Sequence, residues 1–283
     1  MESLLVVLEV LLPIVYGAMV FYFARTFFRS VNVERRLSYA TPMAYGAFLL
    51  HVSYIGLFTL VHHRELLGTA SELCSLIAVT LLGVYIFAEL RPVREASATG
   101  FFVASVVFVL QSISSITITH GPEINPRLLL RDPIFNAHVT TSVFGDAALI
   151  LAAIYGGLYL IQYHLIQRNE YGPIFEHIPS LERLERFGIR ANSVGFLFLT
   201  ISTAFGAVLY ARLGFFEHGM GILTDPKVLV TLLVWLVFGV TLALYRFGHV
   251  HGRRLVLFWM SGFVFTAISM SAVNIIGTQY HTF

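Results

Sequence analysis

Residues 4–24 read LLVVLEVLLPIVYGAMVFYFA. A helix of about 20 apolar residues spans a hydrocarbon core of about 30 Å. No basic segment precedes this stretch and no small-residue cleavage site follows it, so it predicts a retained transmembrane helix rather than a signal peptide. The stretch places the chain among helical membrane proteins.

Similar apolar stretches recur along the remaining sequence. Of the 283 residues, 57% are hydrophobic and 12% are charged, and the mean hydropathy is +0.78. We therefore predict an all-α, polytopic integral membrane protein with about eight transmembrane helices in a single membrane domain, residues 1–283. The predicted helices run approximately over 4–25, 41–61, 72–90, 99–118, 139–163, 191–211, 228–247 and 255–278.

The basic residues predict the orientation in the membrane. Of the 18 Lys and Arg, thirteen follow predicted helices 1, 3, 5 and 7, and the remaining five lie on the other side. Cytoplasmic loops carry the excess of basic residues, so both termini are predicted on the outer, periplasmic side. Residues 119–138 and 212–227 are then outer loops, and residues 164–190 form an inner loop.

The inner loop contains a candidate amphipathic segment. Leu181, Leu184 and Phe187 recur at helical spacing, with acidic and basic residues between them. This pattern predicts a short interfacial helix, and a solvated connector with salt-bridged turns is the alternative.

Cysteine and charge exclude several classes of function. Cys74 is the one cysteine, which excludes an internal disulfide and a paired-cysteine redox motif. The net charge is +2, and the basic residues lie in short loops rather than in a patch, so no nucleic-acid partner is expected.

Two of the eleven histidines lie at a common outer surface in the predicted topology. His138 comes immediately before predicted helix 5, and His281 follows predicted helix 8, on the same side as Asp225-Pro226-Lys227. Imidazole is a common axial ligand of haem iron, although a histidine at a membrane boundary is also often an interfacial polar side chain. A zinc site is disfavoured, since no third or fourth ligand accompanies the pair.

Three further polar residues lie within the predicted spans. Glu9, His51 and Asp146 each interrupt an apolar stretch. Intramembrane ionisable residues are functional candidates that usually face the bundle interior, and a structural partnership is the alternative for Asp146.

Four segments of this chain resemble the cytochrome c assembly, or haem-handling, membrane protein family of the CcsA, CcmC and CcmF type. The resemblance covers the chain from about Arg64 onward and is closest to the HemX-like and YpjD-like branch. The segments are NPRLLLRDPIFNAHV at 125–139, with Gly145 beyond it; PSLERLER at 179–186, followed by GFLFLT at 195–200 and Gly206; Asp225-Pro226-Lys227 with Trp235; and GTQYHTF at 277–283.

The resemblance implies a haem site at the outer face. His138 and His281 would be the axial ligands of the iron of haem b, and Lys227, beside Asp225, would lie near a propionate. Phe215, Phe216 and Trp235 would supply aromatic surface for the porphyrin, and His51 and Asp146 are further candidates in the membrane.

The chain also departs from the pattern of the complete cytochrome c assembly proteins. Residues 214–224 lack the family's tryptophans, Val228 replaces an acid, and Ala243 stands where those proteins have a membrane histidine. These departures are typical of the shorter HemX-like branch.

We therefore expect a haem-binding or haem-handling protein of the bacterial cytoplasmic (inner) membrane that assists cytochrome c assembly or haem supply, without independent catalytic activity. Its expected partners are the lipid bilayer, haem, and other cytochrome c assembly proteins or a haem-biosynthesis enzyme. The alternative is a haem-free membrane scaffold that regulates haem biosynthesis through its inner loops, with residues 179–190 as the contact.

Overall fold

A computed structural model describes residues 1–28, 33–63, 66, 69–89, 96–118, 132–212 and 226–276. This part of the chain consists of α-helices and their connections, without a strand. The helices are α1 (Glu2–Phe28), α2 (Val33–His62), α3 (Ala70–Glu89), α4 (Ala96–Thr117), α5 (Pro133–Arg168), α6 (Pro173–His177), α7 (Leu181–Arg212), α8 (Pro226–Arg246) and α9 (Arg253–Ile276).

Seven helices in the described ranges are long and apolar enough to cross a membrane. These candidate spans cover residues 2–28, 42–62, 70–87, 99–117, 133–168, 181–212 and 228–246. The prediction of an all-α, polytopic membrane protein is confirmed. The helix α9 coincides with the eighth predicted span, and the total of eight and the outer position of both termini remain predictions.

Three helices, α2, α5 and α7, extend five or more residues beyond the spans that hydropathy predicts. The helix α5 has 36 residues and is therefore about 54 Å long at about 1.5 Å per residue, well beyond a hydrocarbon core of about 30 Å. The helix α7 begins at Leu181 and continues to Arg212. The segment predicted as a short interfacial helix is thus the first part of α7, because helical hydrogen bonding continues past the point where the residues become apolar.

The helices fall into two compact units, and the single membrane domain remains a prediction. Unit 1 comprises residues 1–132 and 165–179, with α1 to α4 and α6. Unit 2 comprises residues 133–164 and 180–283, with most of α5 and with α7, α8 and α9.

A proline determines one contact between helices of unit 1. Pro13 lies inside α1 and has no N–H to donate to the carbonyl of Glu9, four residues earlier. The hydroxyl of Ser115, on α4, donates to that carbonyl over 2.8 Å. A free backbone carbonyl at membrane depth needs such a replacement donor, so α1 and α4 are joined at this level.

Glycines allow the helices of unit 2 to pack closely. A Cβ at Gly145 would lie 2.9 Å from Cγ of Leu199, and a Cβ at Gly195 would lie 2.8 Å from Cδ2 of Leu149, so α5 and α7 approach each other at both levels. The fully buried indole of Trp259, on α9, fills the space beside Gly156 and Gly188 in the same way. This packing determines which residues of α5 and α7 face each other.

Candidate functional site

His138 lies in the second turn of α5 and is held by one residue of α7. Its Nδ1 lies 2.8 Å from the backbone carbonyl oxygen of Ser202. The Ser202 hydroxyl donates to the backbone carbonyl of His138 over 3.0 Å and lies 3.2 Å from Nδ1. These contacts connect α5 and α7 through both the side chain and the backbone of His138.

The partners of Nδ1 determine which ring nitrogen carries the proton. A backbone carbonyl can only accept a hydrogen bond, so Nδ1 must be the donor to Ser202. In the neutral imidazole the other nitrogen, Nε2, then carries a lone pair. Nε2 has no hydrogen-bond partner among the described residues. Metal-binding histidines commonly have this arrangement, in which one nitrogen donates to a carbonyl and the other ligates.

A glycine on α7 provides space for the imidazole. A Cβ at Gly206 would lie 3.0 Å from Cε1 and 3.2 Å from Nδ1 of His138. Carbon atoms in van der Waals contact are about 3.5–4.0 Å apart, so a larger residue here would displace the ring.

Trp235 lies within α8 and contacts α7 rather than the surrounding lipid alone. Its indole stacks on Phe196, with ring centroids 5.3 Å apart and an interplanar angle of 27°. Its Nε1 donates to the Thr200 hydroxyl over 2.8 Å. Thr200, the hydrogen-bond partner of Trp235, lies two residues before Ser202 on α7. Trp235 and His138 therefore contact neighbouring positions of the same helix.

The remaining residues predicted for the outer site are not described. His281, Asp225, Phe215 and Phe216 lie outside the described residues, and so does the side chain of Lys227. The structure places Lys227 in the first turn of α8, which begins at Pro226. Proline is favoured at the first helical position because its ring fixes the backbone angle there and its missing N–H is not needed.

Asp146 lies two turns beyond His138 on α5, about 12 Å along the axis at about 1.5 Å per residue. Within the described part of the chain its carboxylate has no hydrogen bond or ion pair. Asp146 therefore remains a candidate whose role the surrounding residues do not explain.

His51 is fully buried in unit 1, and both of its ring nitrogens have protein partners. The Tyr16 hydroxyl, on α1, lies 2.8 Å from Nδ1. The Ser75 hydroxyl, on α3, lies 2.8 Å from Nε2. In this arrangement neither nitrogen is open to a metal ion.

The hydrogen bonds continue from Ser75 to α4 and back to α1. The Ser75 hydroxyl donates to Oε1 of Gln111 over 2.9 Å, and Nε2 of Gln111 donates to the Ser115 hydroxyl over 3.2 Å. Ser115 in turn donates to the carbonyl that Pro13 leaves free. We call the hydrogen-bonded series from Tyr16 through His51, Ser75 and Gln111 to Ser115 the unit 1 network.

The backbone carbonyl that accepts from Ser115 fixes the direction of every hydrogen bond in the unit 1 network. Because a backbone carbonyl only accepts, Ser115 must receive its own hydrogen bond from Gln111. Ser75 has used its one proton on Gln111, so it accepts from Nε2–H of His51. Nδ1 of His51 then accepts from Tyr16, and His51 is neutral with its proton on Nε2.

His51 was predicted from the sequence, but the polar residues of the unit 1 network around it were not. Ser75, Gln111 and Ser115 each lie in an apolar stretch, and Gln111 is 1% exposed. Their position inside predicted spans could have indicated them, because polar side chains in the bilayer have no water and must form hydrogen bonds within the protein. The same holds for Ser202, the partner of His138. No group of three or more His, Cys, Asp or Glu residues that could hold a metal ion occurs among the described residues.

Two residues of the apolar stripe in the predicted amphipathic segment, Leu184 and Phe187, pack within unit 2. Leu184 is fully buried, and the ring of Phe187 lies 5.6 Å from that of Tyr155, on α5. Glu182 and Arg186 form an exposed ion pair on the other side of the helix. The apolar stripe therefore holds the first part of α7 against its own unit.

The long apolar helices define a polytopic helical membrane protein with an imidazole held near the start of α5. A sequence profile of the family described as "Cytochrome C assembly protein" matches residues 41–281, and the chain belongs to this family.

Two curated relatives agree with this assignment. The chain is 26% identical over 141 residues to "Protein HemX" of Brevibacillus brevis, and the match covers 50% of each chain. It is 24% identical over 215 residues to "Inner membrane protein YpjD" of Escherichia coli strain K12, covering 74% of this chain and 77% of the relative. The chain thus matches half the length of the first relative and about three quarters of the second.

Proposed function

We propose that this protein handles haem at the outer face of the bacterial cytoplasmic membrane, where it assists cytochrome c assembly or haem supply. Haem b is held between His138 and His281, and the chain crosses the membrane eight times with both termini outside. Membership of the cytochrome c assembly family supports the class of function. The name of the YpjD relative, "Inner membrane protein YpjD", supports the location.

The observation that carries the proposal is the state of His138. Its Nδ1–H is donated to the Ser202 carbonyl, which leaves the lone pair of Nε2 for a metal ion. An imidazole with its proton on Nδ1 can ligate a metal ion through Nε2, so His138 fits one axial position of haem iron. Bound haem would supply the iron centre and its redox chemistry.

The other predicted site residues have defined roles in this proposal. His281 is the second axial ligand, and Lys227, beside Asp225, neutralises a propionate at the start of α8. Phe215 and Phe216 cover the porphyrin. Trp235 is fixed by Thr200 and Phe196, so it supports the site from within the bundle.

The alternative of a haem-free regulator is less well supported. It depends on the stripe of Leu181, Leu184 and Phe187 as a contact for a partner. Leu184 is fully buried and Phe187 packs on Tyr155, so two of these three residues are already engaged within unit 2.

Purified protein in detergent tests the proposal by its absorption spectrum. We expect a spectrum of haem with two histidine ligands. The change His138→Ala or His281→Ala should weaken it, and the two changes together should abolish it. His164→Ala is the matched control, because His164 is an exposed histidine near the other end of α5. Unchanged haem content in the double variant would exclude these two ligands.

A further inference from the structure

Two residues on successive turns of α7 form a socket for the imidazole of His138. Ser202 provides the backbone carbonyl 2.8 Å from Nδ1. Gly206, four residues later, provides the space in which the ring lies. We call Ser202 and Gly206 the α7 socket.

The carbonyl in the socket is a fixed acceptor. It belongs to an α-helix, so its direction is set by the helix axis, and Ser202 is 4% exposed, so water does not replace it. The hydroxyl of Ser202 donates to the backbone carbonyl of His138, and its proton is therefore not available to Nδ1. Both neighbours of Nδ1 are thus acceptors, and only the Nδ1–H form of the ring satisfies them.

The absence of a side chain at Gly206 also determines where the ring of His138 can lie. A methyl group at Gly206 would lie 3.0 Å from Cε1 of His138 and 3.2 Å from Nδ1. These distances are shorter than van der Waals contact, so the ring must shift by a few tenths of an ångström away from the methyl group, which lengthens or tilts its hydrogen bond to Ser202.

We infer that the α7 socket is a positioning element that selects Nε2 of His138 as the metal-binding nitrogen and holds it in place. Its role toward haem rests on the proposed function, whereas its effect on the state of the ring does not. Partners of this kind around metal-binding histidines typically change metal affinity by about 10–100-fold when they are altered.

The matched variants compare two glycines that each face the ring of a residue on another helix. Gly206→Ala inserts a methyl group against His138. Gly83→Ala inserts the same group between α3 and α2 of unit 1, against Cε2 of Phe48 at 2.9 Å. Ser202→Ala removes the hydroxyl and keeps the carbonyl. If positioning is the role of Gly206, then Gly206→Ala differs from both of the others.

The first measurement is ¹⁵N nuclear magnetic resonance of histidine-labelled, haem-free protein, in which the His138 signals are assigned by their loss in His138→Gln. We expect His138 at neutral pH to carry its proton on Nδ1 in the parent protein, in Gly83→Ala and in Ser202→Ala. We expect Gly206→Ala to lose this single state. A proton on Nε2 in the parent protein would overturn the inference without any variant having to fold.

The second measurement is a titration of the same four proteins with haem, followed by absorbance. We expect Gly206→Ala to lower affinity by about 10–100-fold and Gly83→Ala to have a much smaller effect. Equal affinity of Gly206→Ala and the parent would overturn the positioning role. If the parent protein binds no haem, the proposed function fails, and the resonance result still decides whether the socket sets the state of His138.

Discussion

Replacing Ser75 by alanine should destabilise unit 1 far more than the loss of one hydroxyl suggests. Ser75 is fully buried and joins two partners, because it accepts from His51 and donates to Gln111. Ser75→Ala therefore leaves an N–H and a carbonyl oxygen without partners, in a place that water does not reach.

The magnitude follows from these two groups. A buried polar group without a partner costs about 1–3 kcal/mol, so two cost about 2–6 kcal/mol. Polar contacts inside membrane proteins average about 0.6 kcal/mol, which gives a lower bound of about 1.2 kcal/mol for the pair. We expect a loss of about 2 kcal/mol or more in the free energy of unfolding.

The assay is unfolding of the purified protein in mixed micelles by increasing sodium dodecyl sulfate. The control is Ser53→Ala, because Ser53 is an exposed serine whose hydroxyl donates to Leu49 in its own helix. Adding Gln111→Leu to Ser75→Ala should cost less than the sum of the two single changes, since it removes one of the groups left without a partner. If Ser75→Ala lies within about 0.5 kcal/mol of Ser53→Ala, the assigned hydrogen bonds of the unit 1 network are wrong.

Two further predictions concern unit 2. Gly156→Ala places a methyl group 2.5 Å from Nε1 of the buried Trp259, so we expect a loss of about 1–3 kcal/mol in thermal or detergent unfolding. The adjacent Gly157→Ala has open space around the new methyl group and should be neutral or gain up to about 1 kcal/mol from helix propensity. Trp235→Phe keeps an aromatic ring against Phe196 and loses the hydrogen bond to α7, so it should cost about 0.6 kcal/mol. Trp235 is only partly buried, so Trp235→Ala should cost about 1–2 kcal/mol through loss of the hydrogen bond and the aromatic pair, and equal losses in the two Trp235 variants would show that the stacking contributes nothing.

The positions of the helices could be predicted from the sequence, because the bilayer imposes a length of about 20 apolar residues on each span. Their ends could not. The helix α7 begins ten residues before the predicted span, since backbone hydrogen bonding continues into the polar segment that contains Glu182 and Arg186. Likewise, α5 extends beyond both ends of the predicted span 139–163.

The candidate site was predicted only in part. His138 and Trp235 were identified from their spacing and from a family resemblance, but the spacing along one helix does not say which residue of another helix lies opposite. Ser202 and Gly206 became partners of His138 because glycines at 145 and 195 allow α5 and α7 to pack closely in one register.

The sequence by itself determined that this protein is a bundle of membrane helices, since burial in hydrocarbon depends on composition and length alone. It also determined which polar side chains must find partners inside the bilayer. Only the tertiary structure decided what those partners are. A helix in lipid is apolar on all sides, so its sequence does not reveal which face is turned inward. Helix packing placed Tyr16 and Ser75 beside His51, so both ring nitrogens of His51 have partners. It placed the Ser202 carbonyl beside Nδ1 of His138 and left Nε2 of His138 without a partner among the described residues.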